Sequence, residues 1–336
     1  MNFINITKLV FIYCFLNLDL FSMKIETKPR SDQLTGQRKT LKRRKPTYNL
    51  QDKFNKPKKE KPPIIITANL IKRIKTKENF IGNGDFKEVY KYRNRAIVFY
   101  NKQITFEKEL YFFQNYNHKN IISMINFSNE FKVIILEIGE MNLLSLVTNK
   151  KLTLIEKLKL FKDITKGLQY LHNNELIHGD LKRSNIIIKW NKQKKRYIAK
   201  IIDFHSFVNI NEGIYYFSSK YYAPEQKLER DNVNNYPFCT DIYNLGSIFY
   251  HTVFNSPKIR PSMLTRDRVN KTKNLKTVEE KNKKWFESFF YNIDEIKLTE
   301  LKNLIINCLN FDLNLRPNTK EIVSELEEAI LKLKKI

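Results

Sequence analysis

The chain has 336 residues, of which 42% are hydrophobic, so it can bury a core large enough for one large or two small domains. The formal net charge of +26 at pH 7 is far from neutral and favours anionic partners. Only Cys14, Cys239 and Cys308 are cysteines, and their scattered positions argue against a disulfide framework and against a cysteine metal site.

The first 22 residues resemble a secretory signal peptide. A lysine precedes an apolar run from Leu9 to Leu18, which is too short to span a bilayer. The cleavage pattern is poor, because Ser22 is small but Leu20 is not. A buried N-terminal segment and a translation start at Met23 remain alternatives. A cleaved leader predicts a secreted or exported protein; otherwise we expect a cytoplasmic or nuclear one.

Residues 23–66 form a basic segment with few apolar residues. Such a composition cannot offset the entropy lost on ordering, so we predict a disordered linker here. The segment is suited to contact nucleic acid or an acidic membrane, and the cluster Lys42–Lys45 suits an import receptor. A solvated basic spacer without a partner is the open alternative.

Regular patterns begin near Asn69, where we place the start of a folded domain that runs to residue 334. Ile81–Asn101 carries β-branched and aromatic residues around a polar turn and predicts two or three antiparallel strands. Thr105–Asn117 has the apolar spacing of a helix, and Phe131–Gly139 that of a buried strand. An amphipathic helix follows, with Thr153 as its cap.

The segment IHGDLKRSN, which ends at Asn185, contains the groups that phosphoryl transfer needs. Asp180 can accept the proton of a substrate hydroxyl, Lys182 can stabilise the moving phosphoryl group, and Asn185 offers magnesium an oxygen ligand. The segment resembles the catalytic loop of eukaryotic protein kinases, with Gly179 where arginine is usual. A polar loop that matches by chance is the alternative.

Further motifs follow in the order found in that family. The sequence IIDFH is similar to the D-F-G motif, and the resemblance makes Asp203 the main Mg²⁺ ligand beside Asn185. The sequence YYAPE, ending at Glu225, resembles A-P-E, and Arg316 is placed to pair with that glutamate. The segment TDIYNLG has the Asp241-to-Gly246 spacing of the central buried helix of the family.

The resemblance implies an α+β, bilobal protein-kinase fold over residues 69–334. We expect a small lobe of about 69–138, with an antiparallel sheet and one helix. We expect a larger, mainly helical lobe of about 140–334. The implied cofactors are ATP and Mg²⁺, and the implied partners are proteins with Ser or Thr acceptors; the oligomeric state is not predicted.

The resemblance also assigns a nucleotide pocket to the small lobe. Glu109 stands nine residues before His118, which is the family's separation between its ion-pair glutamate and the H-x-N-I turn. Leu136 takes the position that gates the adenine pocket, and the backbone of Glu137 to Gly139 that of the hinge. The implied cofactor-binding residues are Ile81, Gly82, Gly84, Lys87, Val89, Ala96, Glu109, Glu137 and Ile138.

The third strand lacks the lysine that the family uses to hold the ATP phosphates. The V-A-I-K motif is replaced by RAIV, so Val98 takes the place of the lysine. An apolar side chain cannot neutralise phosphate charge. Taken alone, Val98 indicates a pseudokinase.

A lysine appears instead in the phosphate loop. In the pattern G-x-G-x-x-G-x-V, Gly82 and Gly84 are kept, and Lys87 stands where the third glycine is expected. We predict that its ammonium reaches the space that the family's lysine leaves at Val98. This arrangement resembles the with-no-lysine protein kinases. A solvent-facing strand lysine is the alternative.

Other departures concern regulation and substrate docking. Gly179 removes the arginine that normally meets an activation-loop phosphate, so activity is expected to depend less on that switch. His205, in place of the D-F-G glycine, is expected to be structural and to bias the orientation of the metal ligand. Ser218 with Lys182 favours Ser or Thr acceptors, whereas Phe217 replaces a glycine of the docking surface.

These observations leave an active Ser/Thr kinase as the leading prediction and a nucleotide-binding or scaffolding pseudokinase as the alternative. Val98, Gly179, His205 and Phe217 favour the pseudokinase. The joint presence of Asp180, Asn185 and Asp203 favours the enzyme, because a scaffold has no need of all three together. A dominant role of the basic segment is the third possibility.

Overall fold

The computed structural model describes residues 64–212, 223, 238–254, 277, 280, 283–284 and 293–335. The predictions about residues 1–22 and about most of the basic segment therefore lie outside the described residues and stay predictions. Within the described ranges, no helix combines the length and apolar character that crossing a bilayer requires.

The small lobe is built on one antiparallel sheet. Its elements are helix α1 (Ala68–Ile74), strands β1 (Phe80–Asn83), β2 (Lys87–Tyr92) and β3 (Arg95–Tyr100), helix α2 (Gln103–Asn115), and strands β4 (Met124–Ser128) and β5 (Val133–Glu137). The strand order is β1-β2-β3-β5-β4. The two or three strands predicted for Ile81–Asn101 are confirmed as three, and the predicted helix and buried strand are confirmed as α2 and β5.

The two faces of this sheet have different partners, because side chains alternate along a strand. Val98 and Tyr100 of β3 belong to the core that continues through α2 into the large lobe. Ile97 and Phe99 face the other way and pack with Ile74 of α1 in a separate apolar cluster. The sheet is therefore covered on its outer face by α1, an element that the sequence analysis did not predict.

The chain immediately before α1 also packs on this outer face. Ile64 and Ile66, at the end of the basic segment, are partly buried against the cluster. The side chain of Asn126 donates to the carbonyl of Ile64 at 3.2 Å. Lys75, after α1, pairs with Glu88 of β2 at 2.8 Å. The packed structure thus includes residues before residue 69, whereas the boundary of the linker stays a prediction.

The large lobe is mainly helical. Its elements are β6 (Met141–Asn142), α3 (Leu143–Asn149), α4 (Leu154–Asn173), β7 (Leu176–Ile177), β8 (Ile186–Asn191), β9 (Arg196–Ile201), β10 (Val208–Asn209), α5 (Cys239–Val253), α6 (Thr299–Cys308) and α7 (Thr319–Lys334). Thr153 caps α4 through a capping box with Glu156, as predicted. Helix α5 is buried along nearly its whole length and forms the centre of the lobe. The predicted α+β, bilobal class is confirmed.

Candidate active site

A cavity of about 910 Å³ separates the sheet of the small lobe from the β8–β9 hairpin of the large lobe. Its wall includes every predicted nucleotide-contacting and metal-binding residue: Ile81, Gly82, Gly84, Lys87, Val89, Ala96, Glu109, Glu137, Ile138, Asn185 and Asp203. Val98 and Leu136 also border it. The predicted catalytic residues Asp180 and Lys182 lie next to this wall, since Asn185 contacts Asp180 directly.

The turn between β1 and β2 forms the open edge of the cavity. The N–H of Gly84 donates to the carbonyl of Lys87 at 2.9 Å and closes the turn. A Cβ atom added at Gly82 or Gly84 would meet no atom within 4 Å. Both glycines therefore leave free space above the cavity, into which a ligand can bring its phosphates close to the backbone.

Lys87 reaches from β2 into the cavity. In the β2–β3 pairing, Lys87 lies opposite Tyr100 and Val89 lies opposite Val98, so these side chains share one face of the sheet. The Nζ atom of Lys87 lies 2.6 Å from Glu109 Oε1 and 2.6 Å from Asp203 Oδ1. One ammonium thus joins the helix glutamate of the small lobe to the acidic residue of the D-F-H segment.

The charges of these three groups are mutually stabilised. Burial alone would lower the pKa of Lys87, but the charges of Glu109 and Asp203 outweigh it and hold this pKa above its ordinary value. Burial would raise the pKa of Asp203, but the charge of Lys87 and the hydrogen bond from His205 hold it well below its usual range. The lysine is therefore cationic and the aspartate anionic at neutral pH.

Tyr100 adds a second fixed contact to Glu109. The hydroxyl of Tyr100 donates to Glu109 Oε2, while Lys87 occupies Oε1. Burial, followed by the charge of Glu109, raises the pKa of the Tyr100 phenol well above its usual value. The phenol therefore stays protonated and holds the glutamate carboxylate in place.

Asp203 is aimed into the cavity by an unusual backbone conformation. Its φ is +74°, in the left-handed region that non-glycine residues seldom adopt. The next residue, Phe204, is fully buried, and its ring stacks on Phe112 of α2 at a centroid distance of 3.7 Å. With the phenylalanine packed beneath α2, the aspartate faces the nucleotide cavity.

The catalytic loop follows β7 and ends in a 3₁₀ turn at Arg183–Asn185. Lys182 Nζ lies 2.6 Å from Asp180 Oδ2, and Asn185 Nδ2 donates to the same oxygen at 3.1 Å. The other oxygen of Asp180, Oδ1, is buried and has no hydrogen-bond partner among the described residues. A buried acceptor without a partner is uncommon in proteins and marks Oδ1 as the oxygen left for a substrate hydroxyl.

Asp241 of the central helix α5 is hydrogen-bonded to the backbone at the start of the catalytic loop. Its carboxylate is fully buried and accepts from the N–H groups of His178 at 2.7 Å and Gly179 at 3.1 Å. Its Oδ2 also lies 3.2 Å from His172 Nε2. The buried helix that the sequence motif predicted thus fixes the backbone just before Asp180.

Gly179 occupies a position that no larger residue fits without movement. Its φ is +76°, and a Cβ atom would lie 2.8 Å from the carbonyl oxygen of Ser206. The D-F-H segment therefore packs directly on the glycine. A glycine at the family's arginine position removes a cationic side chain. It also satisfies this local packing, which leaves no room for a Cβ atom.

We expect Gly179→Ala to lower the free energy of unfolding by about 1–3 kcal/mol, because it combines an unfavourable φ with a clash against a backbone oxygen. Urea denaturation followed by circular dichroism measures this change. Gly82→Ala is the matched control: nothing lies within 4 Å of its added Cβ, and its effect should stay within about 0.5 kcal/mol. Equal stabilities of the two variants would contradict the packing argument.

The hinge contains an ionic cluster that the sequence analysis missed. The side chain of Glu137 accepts from Lys189 at 2.8 Å and from the buried Lys200 of β9. Burial would raise the pKa of Glu137, but the hydrogen bonds from both lysines hold it below its usual range. The runs Ile186–Ile188 and Tyr197–Ala199, separated by the polar segment 191–196, were the signal for this hairpin.

The backbone of Glu137 is also partly engaged. Its N–H donates to the carbonyl of Ser123 at 3.0 Å. The contribution of Glu137 to a bound base would therefore come from its carbonyl, whereas Ile138 follows on the cavity wall. The hinge residues predicted from sequence lie at the cavity, and the side chain of the first ties β5 to the strand that precedes Asp203.

Several predicted positions fall outside the described residues. Phe217, Ser218 and Glu225 are among them, so the pairing of Arg316 with Glu225 stays a prediction. Arg316 itself is buried and donates to the carbonyls of Asn310 at 2.8 Å and Cys239 at 2.9 Å. It thereby connects the segment after α6 to the start of α5.

Comparison with known proteins identifies the family of this domain. Residues 76–326, well over half of the chain, match the model of the protein kinase domain. The match begins just after α1, so the element that covers the outer face of the sheet precedes the matched region.

Curated relatives carry kinase names. A probable serine/threonine-protein kinase of Dictyostelium discoideum is 27% identical over 296 residues, covering 80% of this chain and 29% of the relative. A second from that organism is 25% identical over 78% of this chain and 63% of the relative. A dual specificity testis-specific protein kinase of Rattus norvegicus is 25% identical over 75% of this chain and 44% of the relative. The chain thus spans less than two thirds of each of these proteins.

Proposed function

The chain belongs to the protein kinase family, and we propose that it is a Ser/Thr protein kinase whose phosphate-binding lysine is Lys87. In this proposal it transfers the γ-phosphoryl group of ATP to protein hydroxyls. Val98 leaves the customary strand position without a cation, and Lys87 supplies the cation from the neighbouring strand, as in the with-no-lysine kinases that the loop resembles.

The observation that carries the proposal is the position of the Lys87 ammonium. It lies 2.6 Å from a carboxylate oxygen of Glu109 and 2.6 Å from one of Asp203, on the wall of the cavity. A cation held at this point of the cavity wall can turn to the α- and β-phosphates of a nucleotide while it keeps its contact with Glu109. The solvent-facing alternative for Lys87 does not account for this contact.

The nucleotide itself fits the cavity between the lobes. Ile81, Val89 and Ala96 give its roof an apolar surface on which a base can pack, and the hinge at Glu137 and Ile138 borders it. Gly82 and Gly84 leave room for the phosphates. A volume of about 910 Å³ is sufficient for one nucleoside triphosphate.

The residues present also fit a magnesium ion. Asp203 and Asn185 both border the cavity, and the contacts of Asp203 within the described chain fall on Oδ1, which leaves Oδ2 for a metal. Carboxylate and amide oxygens are the hard ligands that Mg²⁺ prefers. When bound, the ion would neutralise charge on the β- and γ-phosphates.

Proton transfer would be carried out by the catalytic loop. Asp180 is held through Oδ2 by Lys182 and Asn185, so its free Oδ1 can orient the substrate hydroxyl and accept its proton. Lys182 can stabilise charge on the transferring phosphoryl group. Ser or Thr is the proposed acceptor, supported by Lys182, by Ser218 in the sequence and by the names of the first two relatives.

A pseudokinase is the second candidate function, and Val98 with Gly179 favours it. Val98 is only 4% exposed on the nucleotide side of β3, so no cation occupies that strand position. Two of the features that supported this candidate have structural explanations, however: Lys87 supplies a cation nearby, and Gly179 is demanded by contact with Ser206.

Transfer of radiolabelled phosphate tests the proposal. The full chain, purified and incubated with γ-labelled ATP, Mg²⁺ and a generic acceptor protein, should place label on serine or threonine. Phosphoamino acid analysis identifies the acceptor. A signal no higher than that of an enzyme-free blank, together with retained nucleotide binding, would favour the pseudokinase. Label on tyrosine alone would overturn the Ser/Thr assignment.

A further inference from the structure

An imidazole lies beside the acidic metal ligand, where most protein kinases have a glycine. The Nδ1 atom of His205 lies 2.8 Å from Asp203 Oδ1. One ligand atom from each of Glu109, Asp203 and His205 can be chosen so that all three lie within 4.8 Å of one another. In the tautomer that carries its proton on Nε2, the ring presents Nδ1 as a nitrogen ligand to a site that otherwise offers oxygen, in place of the hydrogen bond from Nδ1 to Asp203.

The ring of His205 is held in this orientation from its other side. Its Nε2 atom lies 2.9 Å from Ser206 Oγ, and its side chain is 16% exposed. The ring of Phe86, from the phosphate-loop turn, packs at a centroid distance of 5.4 Å. A histidine whose second nitrogen is hydrogen-bonded has the outer contact that metal-binding histidines usually make.

The spacing of the two donor atoms suits a shared cation. Two adjacent ligands of an octahedral ion lie about 3 Å apart when each bond is about 2.1 Å long. His205 Nδ1 lies 2.8 Å from Asp203 Oδ1, close to this value, so a cation bound by Asp203 through both of its oxygens would also reach Nδ1 and would replace the contact of Lys87 with Oδ1. Mn²⁺ accepts an imidazole nitrogen more readily than Mg²⁺ does, although it is the weakest binder among the first-row divalent ions and also uses oxygen ligands.

Glu109 is not expected to take part, because Lys87 and Tyr100 hold its carboxylate in the small lobe, whereas the contact that His205 Nδ1 makes is with Asp203 itself and would be replaced by the metal. Lys87 donates to Oε1 and Tyr100 to Oε2. This arrangement also keeps the ammonium of Lys87 attached to the small lobe when its contact with Asp203 is exchanged for a metal. The metal ligands are then Asp203, Asn185 and the additional nitrogen of His205.

We propose that His205 is a ligand of the nucleotide-associated metal ion, and that the site therefore prefers a transition ion such as Mn²⁺ to Mg²⁺. The inference rests on the proposed function, because it adds a ligand to the same metal site. It assigns to the D-F-H histidine a specificity-determining role that a purely structural substitution would not have.

Metal binding, measured without turnover, tests this inference. The full chain is saturated with a non-hydrolysable ATP analogue, and Mn²⁺ binding is followed by the electron paramagnetic resonance signal of the free ion, with Mg²⁺ as competitor. We expect His205→Gly to weaken Mn²⁺ about tenfold or more and Mg²⁺ much less, so the Mn²⁺ preference falls. His118→Gln, at a histidine that stacks on Tyr170 of α4, should leave both affinities unchanged.

A second variant keeps the test decisive if His205→Gly does not fold. His205→Asn keeps a polar side chain with an oxygen donor, and should lose the Mn²⁺ preference while it retains Mg²⁺ binding. An equal Mn²⁺ preference in the wild type and in the folded variants would overturn the role of His205 alone. Failure of the wild type to bind either ion with the nucleotide analogue would overturn the metal site, and the proposed function with it.

Discussion

Replacing Asp180 with Asn is expected to lower kcat by about a thousandfold, because an amide cannot accept the proton of the substrate hydroxyl. The change is nearly isosteric, and Asp180 Oδ2 is contacted by Lys182 and Asn185. The loss should therefore appear in kcat, while the affinity for nucleotide stays close to that of the wild type. Initial rates of phosphate transfer and nucleotide titrations measure the two quantities.

The control for this experiment is an acidic residue outside the site. Asp294 is 83% exposed in its side chain and pairs with Lys302, so Asp294→Asn removes a carboxylate without touching the cavity. We expect its kcat to remain within about twofold of the wild type. If Asp180→Asn transferred phosphate as fast as this control, the label would come from a contaminating kinase and the chain would be a pseudokinase.

The sequence was sufficient to predict the parts of the site that short motifs encode. Asp180, Lys182 and Asn185 lie within one loop, and Asp203 stands in a recognisable segment, so their proximity follows from the family resemblance. The position of Lys87 followed from strand pairing, since Lys87 and Val98 lie on neighbouring strands with side chains on the same face. Short motifs and strand alternation therefore predict which side chains lie close together.

Other features depend on contacts between residues distant in sequence and could not be predicted. A glycine is required at residue 179 because a side chain there would clash with the carbonyl oxygen of Ser206, which belongs to another loop. The hinge cluster joins Glu137 to Lys200, 63 residues later. Helix α1 was missed because seven residues with no acidic first turn give a weak signal, and its stability comes from burial of Ile74 on the sheet.

Replacing Lys87 with Met is expected to lower kcat/KM at least about a hundredfold, or about 2.7 kcal/mol in transition-state stabilisation. Methionine keeps the length of the side chain but removes the charge that lies 2.6 Å from both Glu109 and Asp203. Those carboxylates would then face each other and the phosphates without a cation. Lys72→Met, on the exposed side of α1, should leave the activity unchanged. Full activity of Lys87→Met would contradict the relocation.

A second substitution tests whether the position of the cation or its mere presence matters. Val98 shares the cavity-facing side of the sheet with Lys87 and lies on the neighbouring strand. The double variant Lys87→Met/Val98→Lys should therefore recover at least about tenfold of the lost kcat/KM, because a lysine at residue 98 again reaches the phosphates from the third strand. Kinetics of the single and double variants, each checked for folding by thermal denaturation, measure the recovery. A double variant that folds and binds nucleotide but remains as slow as Lys87→Met would show that the cavity requires its cation on β2.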